Sequence, residues 1–329
     1  MNTLSPQATA PRYAVIGNTA LAPAVIPAQD ISANLLDDFF AYLDVTPKTT
    51  ATYQRALRQL FRYFTENGIT RPAYDDILNY KKALESTGKK PATIALYLAA
   101  ARRFFAWTEQ RGIFPNVALG VKAPKQEHGH KRDFLGADQI AGVLSSMKHD
   151  SIQARRDFAI MALMSVGGLR TIEIIRANVE DMRTIGGEPV LYVQGKGRHD
   201  RTEFVKLPAP VLKAITDYLT MRGKVADTAP LFASMSNRNK NGRMSTRSIS
   251  RIAKTTLCEA GYNSSRLTAH SLRHTAVTLA ILGGMPLPDV QKFVRHSNLN
   301  TTMIYSHTVD RMKSMCENVV SDMIFSRME

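Results

Sequence analysis

Between Pro115 and Arg132 the chain loses helical periodicity, with Pro115, Gly120, Pro124 and Gly129 interleaved with Lys122, Lys125, Lys131 and Arg132. Such a stretch reads as a basic linker, so the sequence on either side is expected to bury itself separately. A length of 329 residues agrees with this, since domains usually hold roughly 100–200 residues each. The expected layout is a flexible Pro-rich arm over 1–30, a helical domain over 31–115, a basic linker over 116–132 and a second domain over 133–329.

The first domain reads as helical throughout. Thr46 is a plausible N-cap with Pro47 at the first helical position. Tyr53, Leu57, Leu60, Phe61 and Phe64 then recur at helical spacing, while Lys48, Arg55, Arg58 and Arg62 fall elsewhere. A second helix from Pro91 turns Ile94, Tyr97, Leu98, Ala101, Phe104 and Phe105 inward, leaves Arg102, Arg103 and Arg111 to solvent, and stops near Gly112. Beyond Asp133 the pattern is mixed. Helices are expected near 137–147 and 151–166, then a hairpin of Pro189–Gln194 and Thr202–Leu207 turning at Gly195-Lys196-Gly197, then helices to the end. Val309, Met312, Met315, Val319 and Met323 predict one amphipathic helix near the C-terminus. The fold class is therefore mainly α with a small β-hairpin or sheet.

Lys plus Arg number 43 against 28 Asp plus Glu, a net charge of +15, which makes nucleic acid the leading partner. Apolar and charged fractions of 44% and 22% exclude wholesale disorder. Cys258 and Cys316 are too few for a disulfide framework and lack the paired spacing of a zinc site. No run reaches the ~20 apolar residues of a membrane span, and the first residues do not read as a signal peptide, so a cytoplasmic protein is expected.

Cleaving a phosphodiester without a metal calls for cations on the non-bridging oxygens, a nucleophile, and an acid for the departing oxygen. The second domain holds all three kinds. Arg170 follows the Gly167-Gly168 pair, with Glu173 one turn later to orient it. His270 and Arg273 share a helical face, although His274 beside them is a rival histidine. His296 precedes Tyr305 by nine residues, across a polar loop expected to start a new helix. Taken singly, each reads as an ordinary ion pair, helical pair or core tyrosine.

The ordered set, Arg170, then Lys196 in the hairpin turn, then His270-x-x-Arg273, then His296 and Tyr305, resembles the tyrosine recombinase family of integrases and Xer resolvases. The resemblance covers about residues 35–325. It implies a helical core-binding domain and a mixed α/β catalytic domain forming a C-shaped clamp on DNA, with no cofactor or metal. It also implies that Arg170 and Arg273 hold the scissile phosphate and that Tyr305 attacks, leaving a 3'-phosphotyrosyl link. Lys196 is then the general acid for the 5'-oxygen, with Lys206, Arg198 and Arg201 as nearby rivals. His270 assists proton transfer, His296 donates to the phosphate with His307 as a weaker rival, and Glu173 supports the first arginine. One departure is Arg295, where the family commonly has Gly before this histidine. This brings the local backbone path into question.

The partners implied are double-stranded DNA with paired core sites, further copies of the chain in a tetramer on two duplexes, and accessory DNA-bending proteins. The C-terminal helix is expected to dock on a neighbouring subunit. Arg55, Arg58, Arg102, Arg103, Lys122, Lys131, Arg132, Arg238, Lys240, Arg243 and Arg247 are the residues expected to meet phosphates. Integration or excision of a mobile element is the preferred task. The alternatives are a Xer-like resolvase of replicon dimers, a type IB topoisomerase and a catalytically dead DNA-binding protein.

Overall fold

The computed structural model describes residues 33–125, 133–195 and 200–327. The expected arm over 1–30 lies outside them, as do Lys131, Arg132, Lys196 and Arg198 and the side chain of His307. The described residues cluster into two compact units, one on each side of residues 126–132.

The first unit contains α1 (Ala33–Tyr42), α2 (Pro47–Glu66), α3 (Tyr74–Ser86) and α4 (Pro91–Gln110). Helix α2 starts where Thr46 Oγ1 accepts the Thr49 amide at 3.4 Å and Pro47 occupies a position with no amide to satisfy. Its buried residues, Ala56, Leu57, Leu60 and Phe64, pack with Ile94, Leu98, Ala101, Phe104 and Phe105 of α4 in one core. Phe104 is the hub, meeting Phe39 and Phe61 edge to face with centroids 5.3 and 5.5 Å away. Truncation of a ring so enclosed typically costs about 3–5 kcal/mol. Gly112, with φ of 65°, takes the left-handed turn after α4.

The second unit is built on α5 (Ala137–Ser145), α6 (Ile152–Gly167) and α7 (Thr171–Arg176). A three-stranded antiparallel sheet follows: β1 (Met182–Ile185), β2 (Glu188–Val193) and β3 (Glu203–Lys206), in that order. The expected hairpin is its β2–β3 pair, with Leu191 opposite Val205 on one side and Met182 on the other. Helices α8 (Ala209–Arg222), α9 (Thr246–Glu259), α10 (Ala269–Leu282), α11 (Leu287–Phe293), α12 (Asn300–Lys313) and α13 (Cys316–Phe325) complete it.

Helix α6 is the central post. Six consecutive residues, Ala159 to Met164, are all buried, so over this stretch it is apolar on every face and shows no amphipathic stripe. It ends at Gly168, whose φ is 58°. A Cβ there would sit 3.1 Å from Val294 Cγ1 and 3.4 Å from the Cβ of Ala276, so glycine meets both a backbone and a packing requirement.

The single amphipathic helix expected at the C-terminus is instead two. Ser314 adopts extended angles, φ −64° and ψ 128°, and its hydroxyl accepts the Cys316 amide at 3.4 Å, a local bond that competes with helix continuation. Val309, before the break, is buried, whereas Met315, Val319 and Met323, after it, are exposed. Among the described residues no helix is long and apolar enough to cross a membrane.

Candidate active site

The site is assembled around one carboxylate. Arg170 is the N-cap residue of α7 and Glu173 lies in its first turn, so the Glu173 side chain reaches back to the helix start. Its Oε2 accepts the Arg170 amide at 2.9 Å and its Oε1 accepts Arg170 Nη1 at 2.8 Å. The same Oε2 accepts Arg295 Nη2 at 3.0 Å. Arg170 Nη2 in turn donates to the carbonyl of Arg295 at 3.3 Å. Burial alone would push the Glu173 carboxyl up, but Arg295, the Arg170 amide and the Arg170 guanidinium outweigh it and hold the group below its usual range.

Arg273 projects from α10 and is only 1% exposed. Its guanidinium donates to the carbonyls of Gly168, at the end of α6, and of Val294, at the end of α11. Burial, then the like charge of Arg170, bring its pKa down to about 9, so it stays charged near neutrality. The left-handed turn at Gly168 thus serves the site as well as the core, because it aims a carbonyl at Arg273.

His270, in the first turn of α10, is exposed. Its ring meets His274 edge-on at 4.7 Å, and His274 lies 5.0 Å from the ring of Tyr305. On the other side the His296 ring stands 6.4 Å from Tyr305 at 24°. His296 Nδ1 is hydrogen-bonded to Thr302 Oγ1 at 2.9 Å, and burial, followed by Arg273, Arg170, His270 and Arg295, lowers its pKa to about 4.

Tyr305, the sixth residue of α12, is 4% exposed and packs with Val277, Ile281, Val290, Val294 and Val309. Arg273 and Arg170 both favour its phenolate, yet burial dominates and lifts the pKa to about 12. A phenol so placed is protonated near neutrality.

The backbone at Arg295 answers the doubt raised by its sequence. With φ of 55° it occupies the left-handed conformation that glycine enters freely. Of the expected residues, Arg170, Glu173, His270, Arg273, His296 and Tyr305 come together, and Lys196 lies outside the described residues. The strand end leading to it is fixed by Arg176, whose Nη1 donates to the Gly195 carbonyl at 2.8 Å. Arg201 is committed to Asp181 at 2.9 Å and Glu180 at 3.4 Å. The sequence reading named His274 only as a rival to His270 and Arg295 only as a departure in the backbone, and it missed Thr302. A cation beside His296, in place of glycine, was the available signal for Arg295.

The residues expected on DNA divide. Arg55, Arg58, Arg103, Lys122, Arg238, Lys240, Arg243 and Arg247 are exposed. Arg102 instead donates to the Val121 carbonyl at 3.1 Å. Arg243 donates to the Ile175 carbonyl and, at 2.6 Å, to Asn178 Oδ1, which braces the loop against α7. Among the described residues no group of three His, Cys, Asp or Glu side chains is arranged to hold a metal ion.

Residues 133–312 match the Phage integrase family, and residues 36–112 match the Phage integrase N-terminal SAM-like domain. The tyrosine recombinase XerC of Pelobacter propionicus is 31% identical over 277 residues, covering 82% of this chain and 88% of that one. XerC of Vibrio cholerae is 29% identical over 294 residues, covering 85% and 90%. The fold is similar to the XerH site-specific recombinase bound to palindromic difH substrate, with TM-score 0.69, 20% identity and coverage of 84% and 80%. It is similar too to the Tn1549 transposon integrase in complex with transposon right end DNA, with TM-score 0.64, 15% identity and coverage of 85% and 97%. For a lambda integrase dimer bound to a COC' core site the values are 0.63, 17%, and 82% and 96%.

Proposed function

The chain belongs to the phage integrase family of tyrosine recombinases and is a site-specific DNA recombinase, and from that premise we propose how its residues divide the work. Tyr305 Oη attacks the scissile phosphorus and the bond to the 5'-oxygen breaks, leaving a 3'-phosphotyrosyl link and a free 5'-hydroxyl. Arg170 and Arg273 neutralise the non-bridging oxygens as negative charge grows in the pentavalent transition state. His270 assists removal of the phenol proton, and Lys196 protonates the 5'-oxygen. Neutral His296, with Thr302 donating to its Nδ1, keeps its proton on Nε2 and donates it to the phosphate. The link conserves the bond energy of the phosphodiester, so rejoining needs no separate energy source.

The observation that carries this reading is the convergence of Arg170, Arg273, His296 and Tyr305. They come from α7, α10, the turn after α11, and α12, yet act on one another electrostatically. The assembly proposed is a tetramer of this chain on two duplexes, aided by DNA-bending proteins. Exposed Met315, just before α13, and Val319 and Met323 within it supply an apolar surface for a neighbouring copy.

Integration or excision of a mobile element is the proposed task, supported by likeness of fold to the Tn1549 and lambda integrases. The identity to XerC favours a second reading, resolution of replicon dimers. Recombination of paired plasmid sites cloned from the element's ends or from the host replicon separates the two. Chemistry is tested by denaturing electrophoresis on a nicked suicide duplex carrying the native crossover sequence. Wild type is expected to give a protein-linked DNA band and Tyr305→Phe none. Linkage by the Phe variant, or its absence from wild type, contradicts the assignment.

A further inference from the structure

Three features of Arg295 need one explanation. Its backbone sits at φ 55°, a region that side-chain-bearing residues enter rarely and hold only where the surroundings fix them. Its side chain is 5% exposed, with Nη2 on Glu173 at 3.0 Å and Nη1 on the Phe293 carbonyl at 2.8 Å. Its own carbonyl accepts Arg170 Nη2 at 3.3 Å. Arg295 therefore touches Arg170 twice over, through the shared carboxylate and through its main chain.

An ordinary buried ion pair would account for part of this, but Glu173 already receives two bonds from Arg170. The electrostatic sum argues against simple pairing. Arg170, Arg273 and Arg295 place three positive charges around the one carboxylate of Glu173, a net of 3 − 1 = +2. A cluster built only to be satisfied would balance. One with buried excess positive charge is arranged for an anion.

We infer that Arg295 is a positioning residue of the strand-transfer site, clamping the Arg170 guanidinium between Glu173 and its own carbonyl and adding the charge that matches a dianionic pentavalent phosphate. The inference rests on the reading of Arg170 as a phosphate ligand. Arg295 itself acts through Arg170 and through the field of the site, so its loss is felt in the cleavage step and leaves ground-state DNA binding nearly unchanged.

The test is Arg295→Gly, which suits the left-handed backbone and removes only the side chain, made in the wild-type and Arg170→Ala backgrounds. Covalent-complex formation is followed in single turnover on the suicide duplex, beside DNA affinity by gel shift and thermal unfolding. Arg295→Gly is expected to bind DNA as wild type does and to link it about 10- to 100-fold more slowly. In the Arg170→Ala background, measured with enough enzyme for its residual linkage to be seen, the same change is expected to cost several-fold less than in wild type, because only the contribution of its charge remains. Arg295→Lys, which keeps charge but lacks the planar fork, recovers part of the loss and carries the same comparison if the glycine variant does not fold. Wild-type rates in Arg295→Gly, or an equal loss in both backgrounds, overturn the inference. A wild type that links no DNA overturns the Tyr305 reading as well, so the two failures are distinguishable.

Discussion

On α2, Arg55 and Arg58 stand in solvent, opposite the face that buries Leu57 and Leu60. In the second unit Arg273 and Arg295 lie beneath the surface, 1% and 5% exposed, and are held by carbonyls and by Glu173. The first pair keeps its hydration and costs the fold almost nothing, so it is free to meet phosphates anywhere along a duplex. The second pair has given up water, and such a loss is tolerated where a fixed charge does work that a mobile one does not. On the proposed reading, burial separates cations that gather DNA from cations that serve one phosphate.

The comparison breaks first at Arg273. Arg273→Ala is expected to slow covalent-complex formation by about 10³–10⁵-fold, the range associated with an arginine that stabilises a phosphoryl transition state. Affinity for DNA should hardly change, as gel shifts at fixed salt will check. If instead affinity collapses and the cleavage rate of bound complexes survives, Arg273 belongs with the exposed class.

Glu173 comes next. Glu173→Gln keeps the shape and removes the charge, leaving Arg170, Arg273 and Arg295 close together without a counter-ion. Unfolding in urea is expected to show a loss of about 3–5 kcal/mol, the usual cost of stranding a buried charge.

Acid supplies a gentler probe. The unfolded chain binds a proton at His296 near the usual histidine value, whereas the folded chain binds it only near 4, because burial and then Arg273 and Arg170 oppose it. Over that window the unfolded state holds more protons, so stability falls as pH falls from about 6.5 to 4. The contribution is about 1–2 kcal/mol once solvent screening is allowed for. His296→Gln should flatten this part of a pH–unfolding profile, and an unchanged slope would assign the acid sensitivity elsewhere.

The smallest effect belongs to the exposed face. Arg55→Ala with Arg58→Ala should alter stability by less than about 0.5 kcal/mol. Binding should weaken on all sequences alike, with the salt slope of log K reduced by about one for each phosphate that is no longer neutralised. A sequence-selective loss would show that these residues read bases.

The two regions also differed in how plainly the sequence spoke. Helices α2 and α4 were legible because each buries one face against the other, and that arrangement prints itself as spacing. Strand β1 left no such mark, since its four residues are half-buried or exposed and show no inward alternation. The break at Ser314 was hidden because apolar spacing continues across it while a single hydroxyl bond redirects the chain. At the site, the residue types and their order pointed to Arg170, His270, Arg273, His296 and Tyr305, which the fold brings together. Two things lay beyond spacing: that burial outweighs the nearby arginines at Tyr305, and that the Arg295 side chain is bonded to Glu173. Both depend on what packs around them. Lys196 stays a reading of the sequence and the family resemblance.

The most direct test of the central claim replaces the charged scissile phosphate by a methylphosphonate, in which a methyl group stands in for one non-bridging oxygen and the negative charge is gone. Cleavage by wild type and Arg273→Ala is then compared on the two substrates. If the buried arginines act by neutralising the phosphate, the large deficit of Arg273→Ala on phosphate should shrink to less than about tenfold on the neutral substrate. A deficit of the same size on both substrates would contradict the account and leave Arg273 a structural brace between Gly168 and Val294.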